Sequence, residues 1–488
     1  MSQISIQNLT FAYDGTADNV FENVSLQIDT SWKLGLVGRN GRGKTTLLRL
    51  LMGEFEHSGT ISTNAEFEYF PYSVTNTAAS AFEVAEEMYP NVQQWELERE
   101  LNLLSFNVER LWLPYSLLSY GEKTKIMLGT LFCKPNAFLL IDEPTNHLDA
   151  QARRILSDYL KRKKGFILVS HDRTVLDECI DHIISINRAN IDVTAGNFSV
   201  WEQNKAYQDA FELAENEKLK KDIKRLEIST RRAADWSHKT EKSKKGAADK
   251  GFIGHKAAKM MSKAKNIEDR KNSALQEKQG LLKNIETADN LKLSPLKYVK
   301  QNLVFANDLQ IFYDGRAIFA PMNFNIKNGD RIALAGKNGS GKSSLIKLLL
   351  GKKINYSGTL EIGSNLKISY IPQGTEHLSG SLCQYAEKLS IDESLFKSIL
   401  RKLDFERTQF DKDISDFSEG QKKKVLLAGS LCEQTHLYVW DEPLNFIDVL
   451  SHKQIEDLIL ANNPTILFVE HDISFANQIA TKILNLQL

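Results

Sequence analysis

Apolar residues fall along this chain in two different rhythms. Near both ends, short and mostly apolar runs stand between polar segments: Lys33-Leu-Gly-Leu-Val37, Phe138-Leu-Leu-Ile141 and Phe166-Ile-Leu-Val169, then Ile332-Ala-Leu-Ala335, Leu437-Tyr-Val-Trp440 and Ile466-Leu-Phe-Val469. Runs of this length are too brief for helices and predict strands buried on both faces. In the middle, from about Trp201 to Lys300, apolar residues come at helical spacing instead, as Leu219, Ile223 and Leu226 and then Ile267, Leu275, Leu282 and Ile285. These Glu/Lys/Ala/Leu-rich stretches lack proline and predict two antiparallel helices. At ~1.5 Å per residue, helices of roughly 30 residues reach roughly 50 Å beyond the cores. The pattern predicts an α/β protein with one core in 1–200, a second in 302–488, and a helical hairpin linker in 201–301 whose tip lies near 236–265.

The strand-like runs carry one motif set twice. Gly38-Arg-Asn-Gly-Arg-Gly-Lys44-Thr45 follows the first run of the first core, and Gly336-Lys-Asn-Gly-Ser-Gly-Lys342-Ser343 follows its counterpart, 298 residues later. In such a loop the glycines let backbone N–H groups curl around phosphate oxygens. The lysine reaches the β and γ phosphates, and the hydroxyl coordinates Mg²⁺. The helix that follows adds its positive N-terminal end. The candidate nucleotide contacts are therefore Gly38, Asn40, Gly41, Gly43, Lys44, Thr45 and Thr46, repeated as Gly336, Asn338, Gly339, Gly341, Lys342, Ser343 and Ser344.

Acidic pairs close two further strands. Asp142 and Asp441 are placed to bind Mg²⁺ from the far side, while Glu143 and Glu442 are placed to orient and polarise an attacking water. His171 and His471 stand 28 and 29 residues beyond those glutamates, each after another apolar strand. A single histidine is most often a satisfied or exposed side chain. Duplicate placement at matching strand ends predicts a γ-phosphate sensor instead.

Composition bounds the rest. Hydrophobic residues make up 42% and charged residues 25%, as in an ordinary globular protein with chain enough for two large cores. No segment approaches the ~18 uninterrupted apolar residues of a membrane span, and Met1-Ser-Gln-Ile-Ser5 has neither a basic head nor an apolar signal core, so a cytoplasmic protein is expected. Cys133, Cys179, Cys383 and Cys432 lack metal-ligand spacing and are expected to be buried small hydrophobes. The 62 basic and 62 acidic side chains cancel overall, yet residues 218–271 hold 18 Lys and Arg against 7 Asp and Glu. Positive charge is thus concentrated in the linker. Its centre interrupts the helical pattern with Gly246, Gly251 and Gly254 among Lys244, Lys245, Lys250, His255, Lys256 and Lys259, around Phe252. A lysine run is often only a solvated loop. Carried at the end of a hairpin on an ATPase, it also suits salt-sensitive contact with a polyphosphate backbone.

The motif set resembles that of the ABC ATPases. Leu118-Ser119-Tyr120-Gly121-Glu122 and Phe417-Ser418-Glu419-Gly420-Gln421 resemble the signature loop, and Leu148-Asp149 and Ile447-Asp448 the D-loop. The resemblance implies that Tyr13 and Tyr313 stack on adenine. It also implies that two cores pack head to tail, so each of two ATP molecules with Mg²⁺ lies between the phosphate loop of one half and Ser119 and Gly121, or Ser418 and Gly420, of the other. A monomer with an intramolecular dimer of cores follows. The first signature glycine is replaced by Tyr120 and Glu419. Gln373 matches a glutamine that links Mg²⁺ to moving parts, where the first half offers Tyr72, a poorer metal ligand. The two sites are expected to turn over differently.

With its basic helical linker and no membrane segment, the chain resembles the ABC-F proteins, and through Lys33–Lys44, Phe211–Lys218 and Trp440–Asn445 the Lsa-type resistance proteins most closely. That resemblance implies binding at the exit-tRNA site of the 70S ribosome, with 23S rRNA and peptidyl-site tRNA as partners and neither a membrane subunit nor DNA. It implies protection against lincosamide, pleuromutilin and streptogramin A antibiotics, with the tip residues reshaping the drug pocket. A housekeeping ABC-F translation factor is the alternative, and the tandem ATPase subunit of an importer a lesser one.

Overall fold

The computed structural model describes residues 3–14, 19–146, 148–187, 190–242, 291, 293–337 and 339–486. The chain divides into two compact units, one formed by Met1–Ser199 with Ala288–Leu488 and the other by Val200–Thr287.

The first unit contains two α/β cores of matching design. In the first, six strands run in the order Glu66–Phe70, Ala137–Asp142, Phe166–Val169, Lys33–Gly38, His182–Ile186 and Ile191–Ala195, all parallel except the last pair. In the second, five parallel strands run Ile368–Ile371, Leu437–Asp441, Ile466–Val469, Arg331–Ala335 and Lys482–Asn485. The predicted apolar runs are the central strands. Every residue of Phe166–Val169 and Ile466–Val469 is buried, as helix-covered parallel strands require. A smaller antiparallel sheet accompanies each, built on Gln3–Phe11 and on Asn302–Tyr313. Leu36, Leu47, Leu140 and Val169 share the first core cluster, and Leu334, Leu345, Val439 and Val469 the matching one, so each phosphate loop is anchored at both ends in packed apolar structure.

The helix Phe198–Lys242, all but its first two residues in the second unit, is 45 residues long. It passes through Trp236, where the pattern was expected to break, because the first glycine comes only at 246 and no proline intervenes. At ~1.5 Å per residue it measures about 68 Å, longer than expected. The tip residues Lys244, Lys245, Lys250, Phe252, His255, Lys256 and Lys259, and the expected return helix, lie outside the described residues, as does Asn338. Among the described residues no helix is long and apolar enough to cross a membrane. Of the four cysteines only Cys179 is buried; the other three are partly exposed.

Candidate nucleotide sites

Each phosphate loop joins a strand to a helix, Lys44–Leu51 or Lys342–Leu349, through a left-handed glycine. Gly43 has φ 88° and Gly341 φ 93°, and a Cβ at either would lie 2.7 Å from Val20 or Ile318. Only glycine fits there. The lysine ammonium folds back onto its own loop: Lys44 Nζ donates to the Gly38 carbonyl (2.8 Å) and to Asn40 Oδ1 (3.1 Å), and Lys342 Nζ to the Gly336 carbonyl (2.7 Å). Thr45 Oγ1 donates to Asp142 Oδ2 at 2.9 Å, and Ser343 Oγ to Asp441 Oδ2 at 3.1 Å. One hydroxyl and one carboxylate, both hard oxygen donors, fit Mg²⁺, which takes few protein ligands and fills its octahedron with water and phosphate oxygens.

The signature segments have a local explanation as well. Ser119 and Ser418 are N-caps of the helices Tyr120–Leu131 and Glu419–Cys432, each in a capping box with Glu122 or Gln421. Asp149 and Asp448 are N-caps of Ala150–Leu160 and Val449–Asn462, their carboxylates accepting from the backbone N–H of Ala152 and Ser451.

Across the two cores the sites differ. The cavity at Lys44 is lined by Tyr13, Asn40, Gly41, Gly43, Thr45, Thr46, Asp142, Glu143 and His171 from the first half and by Ser418, Glu419, Gly420 and Phe446 from the second. Asn40 Nδ2 donates to the Phe446 carbonyl at 2.8 Å. A Cβ on Gly420 would lie 2.5 Å from that carbonyl oxygen and 3.1 Å from Asn40 Nδ2, so this second signature glycine permits the close approach. The cavity at Lys342 is lined by Ile318, Gly339, Gly341, Ser343, Ser344, Gln373, Glu442 and His471. Ser119, Gly121 and Tyr313 are not in its lining. Among the described residues a Cβ on Gly121 would meet Leu148, 3.2 Å away in its own half. Among the described residues the first cavity is lined from both halves and the second from one, with Asp149 of the first half near enough to Lys342 for its charge to act there. Deeper in the juncture, Arg173 and Glu456, both buried, join the halves with Nη1 2.9 Å from Oε1.

The two glutamates share a backbone and differ in charge environment. Glu143 (φ 52°) and Glu442 (φ 51°) both hold the left-handed conformation that a residue with a Cβ adopts at a cost. Burial, then the adjacent Asp142, push the Glu143 carboxyl up to about 8 against the pull of Lys44. Among the described residues its oxygens are buried without a well-aligned hydrogen bond; the His171 backbone N–H lies near enough to lower the carboxyl somewhat, and His171 Nε2 lies 3.1 Å from Oε1. Burial, then Lys44, push His171 well below its ordinary value. Burial also pushes Glu442 upward, but His471, the Gln373 amide and Lys423 outweigh it and hold that carboxyl at about 2. His471 Nε2 lies 3.2 Å from Glu442 Oε1, Gln373 Nε2 donates to Oε2 at 3.0 Å, and Asn445 Nδ2 to the same oxygen at 2.6 Å.

Tyr72 does not replace Gln373, because its hydroxyl turns to Glu87 Oε1 at 3.5 Å. Tyr69, which sequence reasoning missed, reaches the first site instead and donates to Asp142 Oδ2 at 3.0 Å. Its counterpart Tyr370 lies close enough to Asp441 to feel that carboxylate's charge, so a repeat search extended beyond the motifs would have paired the two.

Comparison with known proteins agrees with this geometry. The ABC transporter family pattern matches residues 21–146 and 319–445. The chain is 27% identical over 471 residues to the ribosome protection protein VmlR of Bacillus subtilis, covering 94% of this chain and 83% of that protein. It is 24% identical over 548 residues to ABC transporter F family member 2 of Arabidopsis thaliana, covering 100% and 76%. In fold it is similar to the archaeal ribosome recycling factor aABCE1, solved with the stalk protein aP1, with a TM-score of 0.65 at 18% identity over 98% of this chain and 87% of that one. Two sets of ATP-hydrolysing motifs, in two cores of one chain, place the protein in the ABC transporter family, in its ABC-F branch of ATPases.

Proposed function

We propose that the protein is an ATP-driven clamp that works on the ribosome. The observation that carries the reading is the Lys44 site, walled by the phosphate loop of one half and by Ser418, Gly420 and Phe446 of the other. ATP bound there bridges the halves, and its hydrolysis releases them. Thr45 with Asp142, and Ser343 with Asp441, would hold Mg²⁺, whose charge would offset that of the β and γ phosphates. Glu143 and Glu442 orient the water that attacks the γ-phosphorus, as the bond to the departing ADP breaks. His171 and His471 stand at the γ-phosphate as sensors, His471 also holding the Glu442 carboxylate, and Tyr13 and Tyr313 supply faces for adenine.

Unequal surroundings give unequal sites. Gln373→Ala is expected to slow the Lys342 site by about tenfold, on the loss of a hydrogen bond to a charged group. Tyr72→Ala is expected to leave the Lys44 site within about twofold, since Tyr72 faces Glu87. Steady-state ATPase assays on proteins with the other site silenced by a Glu→Gln change read each separately. Equal effects would remove the asymmetry from this account.

Two supports direct the clamp to the ribosome: the name of VmlR, a ribosome protection protein, and the excess of eleven positive charges in 218–271, suited to RNA phosphates. The domains are then two cores, 1–200 and 302–488, around a basic linker, 201–301, that approaches 23S rRNA and peptidyl-site tRNA in the cytoplasm. The finer reading is that the segment 250–259 reshapes the peptidyl-transferase drug pocket and frees lincosamide, pleuromutilin or streptogramin A. Phe252 is able to stack on or crowd a base. The housekeeping reading, a translation factor of the ABC-F kind, needs no drug. Expression in a drug-susceptible Gram-positive host separates the two. Raised inhibitory concentrations confined to peptidyl-transferase drugs, and lost in Phe252→Ala or on shortening the loop, are expected of the protection factor. Unchanged concentrations for every class leave the housekeeping factor.

A further inference from the structure

The helix Glu419–Cys432 touches both nucleotide sites. Its N-terminal residues wall the cavity at Lys44. One turn further, the Lys423 side chain, 1% exposed, donates from Nζ to the Glu442 carbonyl at 2.9 Å and to the Pro372 carbonyl at 3.2 Å. Those carbonyls belong to the water-orienting residue of the Lys342 site and to the residue before Gln373, which itself grips the Glu442 carboxylate. Burying a lysine is costly unless its charge is answered. Burial pulls the Lys423 ammonium down, and the charges of Glu470, Glu442, Asp441 and Glu419 work to keep it protonated. In the first half the same helix position is Thr124, and among the described residues it makes no side-chain hydrogen bond to Glu143.

The geometry points to Lys423 as a positioning residue for hydrolysis at the Lys342 site, and as the link that makes turnover there depend on occupancy of the Lys44 site. Lys423 fixes the peptide of a glutamate held in a left-handed conformation and ties it to the Gln373 segment. The helix carrying it is itself held when Ser418 and Gly420 close on the Lys44 loop. With Thr124 in place of a lysine, the first half lacks this connection, so the dependence runs one way in turnover; only binding energies need couple reciprocally. The inference rests on the reading of Glu143 and Glu442 as water-orienting residues.

Turnover of the Lys342 site alone is read in the Glu143→Gln background, and that of the Lys44 site alone in Glu442→Gln. Lys423→Thr is expected to lower kcat of the Lys342 site by about tenfold or more with KM within about threefold, as lost hydrogen bonds from a charged group imply. The Lys44 site should lose far less. Lys423→Met, closer in volume, should behave alike, which separates the missing ammonium from a cavity. A lysine that merely stabilised the helix would reduce both sites together through Ser418 and Gly420, so equal losses overturn the proposal, as does an unchanged kcat at the Lys342 site. Adding Lys44→Ala reads the link: it should lower turnover of the Lys342 site when Lys423 is present and have no further effect in Lys423→Thr. Additive losses contradict it. If the double Glu143→Gln/Glu442→Gln protein hydrolyses ATP at the parental rate, the reading of the glutamates has failed and the role of Lys423 falls with it.

Discussion

Changing both Glu143 and Glu442 to Gln is expected to cut ATP hydrolysis by a factor on the order of 10² to 10⁴, the range that a positioned carboxylate contributes. ATP binding should survive within a few fold, since Gln keeps the volume and the phosphate loops and Thr45, Ser343, Asp142 and Asp441 are untouched. Steady-state phosphate release and nucleotide titration measure the two quantities. Loss of binding in step with hydrolysis would mean that the glutamates shape the pocket and do not serve the chemistry. The single variants should differ from each other, because Glu442 is gripped by His471, Gln373 and Asn445 while among the described residues no side chain makes a well-aligned hydrogen bond to the buried oxygens of Glu143.

Arg173→Met is expected to be the most damaging change outside the nucleotide sites. Arg173 reaches across the juncture to Glu456, whose side chain is 0% exposed. Removing one member of a buried pair strands the other and costs about 3–5 kcal/mol. The strained contact lies between the halves, so thermal unfolding should separate into two transitions, and turnover of the closed Lys44 site should fall. Replacing both partners together, Arg173→Met with Glu456→Leu, should recover much of the loss, since no charge is left buried alone. A double variant as damaged as the single one would show that the packing matters and the charge pair does not.

The elements around the phosphate loops were legible in the sequence because their chemistry allows little variation. A loop that wraps phosphate with backbone N–H groups needs Gly43 and Gly341 in left-handed conformations, and a strand covered on both faces must read as unbroken apolar residues, as Phe166–Val169 does. What was not legible depends on neighbours distant in sequence. Glu143 and Glu442 are the same residue with nearly the same φ, yet one carboxyl is pushed up and the other held down. Burial raises both; at Glu442 the His471 ring, then the Gln373 amide and Lys423, outweigh it, whereas at Glu143 the adjacent Asp142 adds to it. Closure has the same character. Gly121 and Gly420 hold equivalent places in the repeat, yet among the described residues Gly420 meets the Asn40 amide of the opposite half and the Phe446 carbonyl of its own, while Gly121 meets Leu148 of its own half. Arg173 and Glu456 are 283 residues apart and carry no local signal of their meeting. The excess length of the Phe198–Lys242 helix followed from reading a break at Trp236, where nothing but a change of composition suggested one.

The central claim, an ATP-closed clamp acting on the ribosome, is tested most directly by sedimenting the Glu143→Gln/Glu442→Gln protein with 70S ribosomes through a sucrose cushion, with and without Mg-ATP. Near-stoichiometric protein in the ribosomal pellet with ATP, and little without it, is the expected result. Protein that stays in the supernatant in both conditions while still binding ATP would contradict the account.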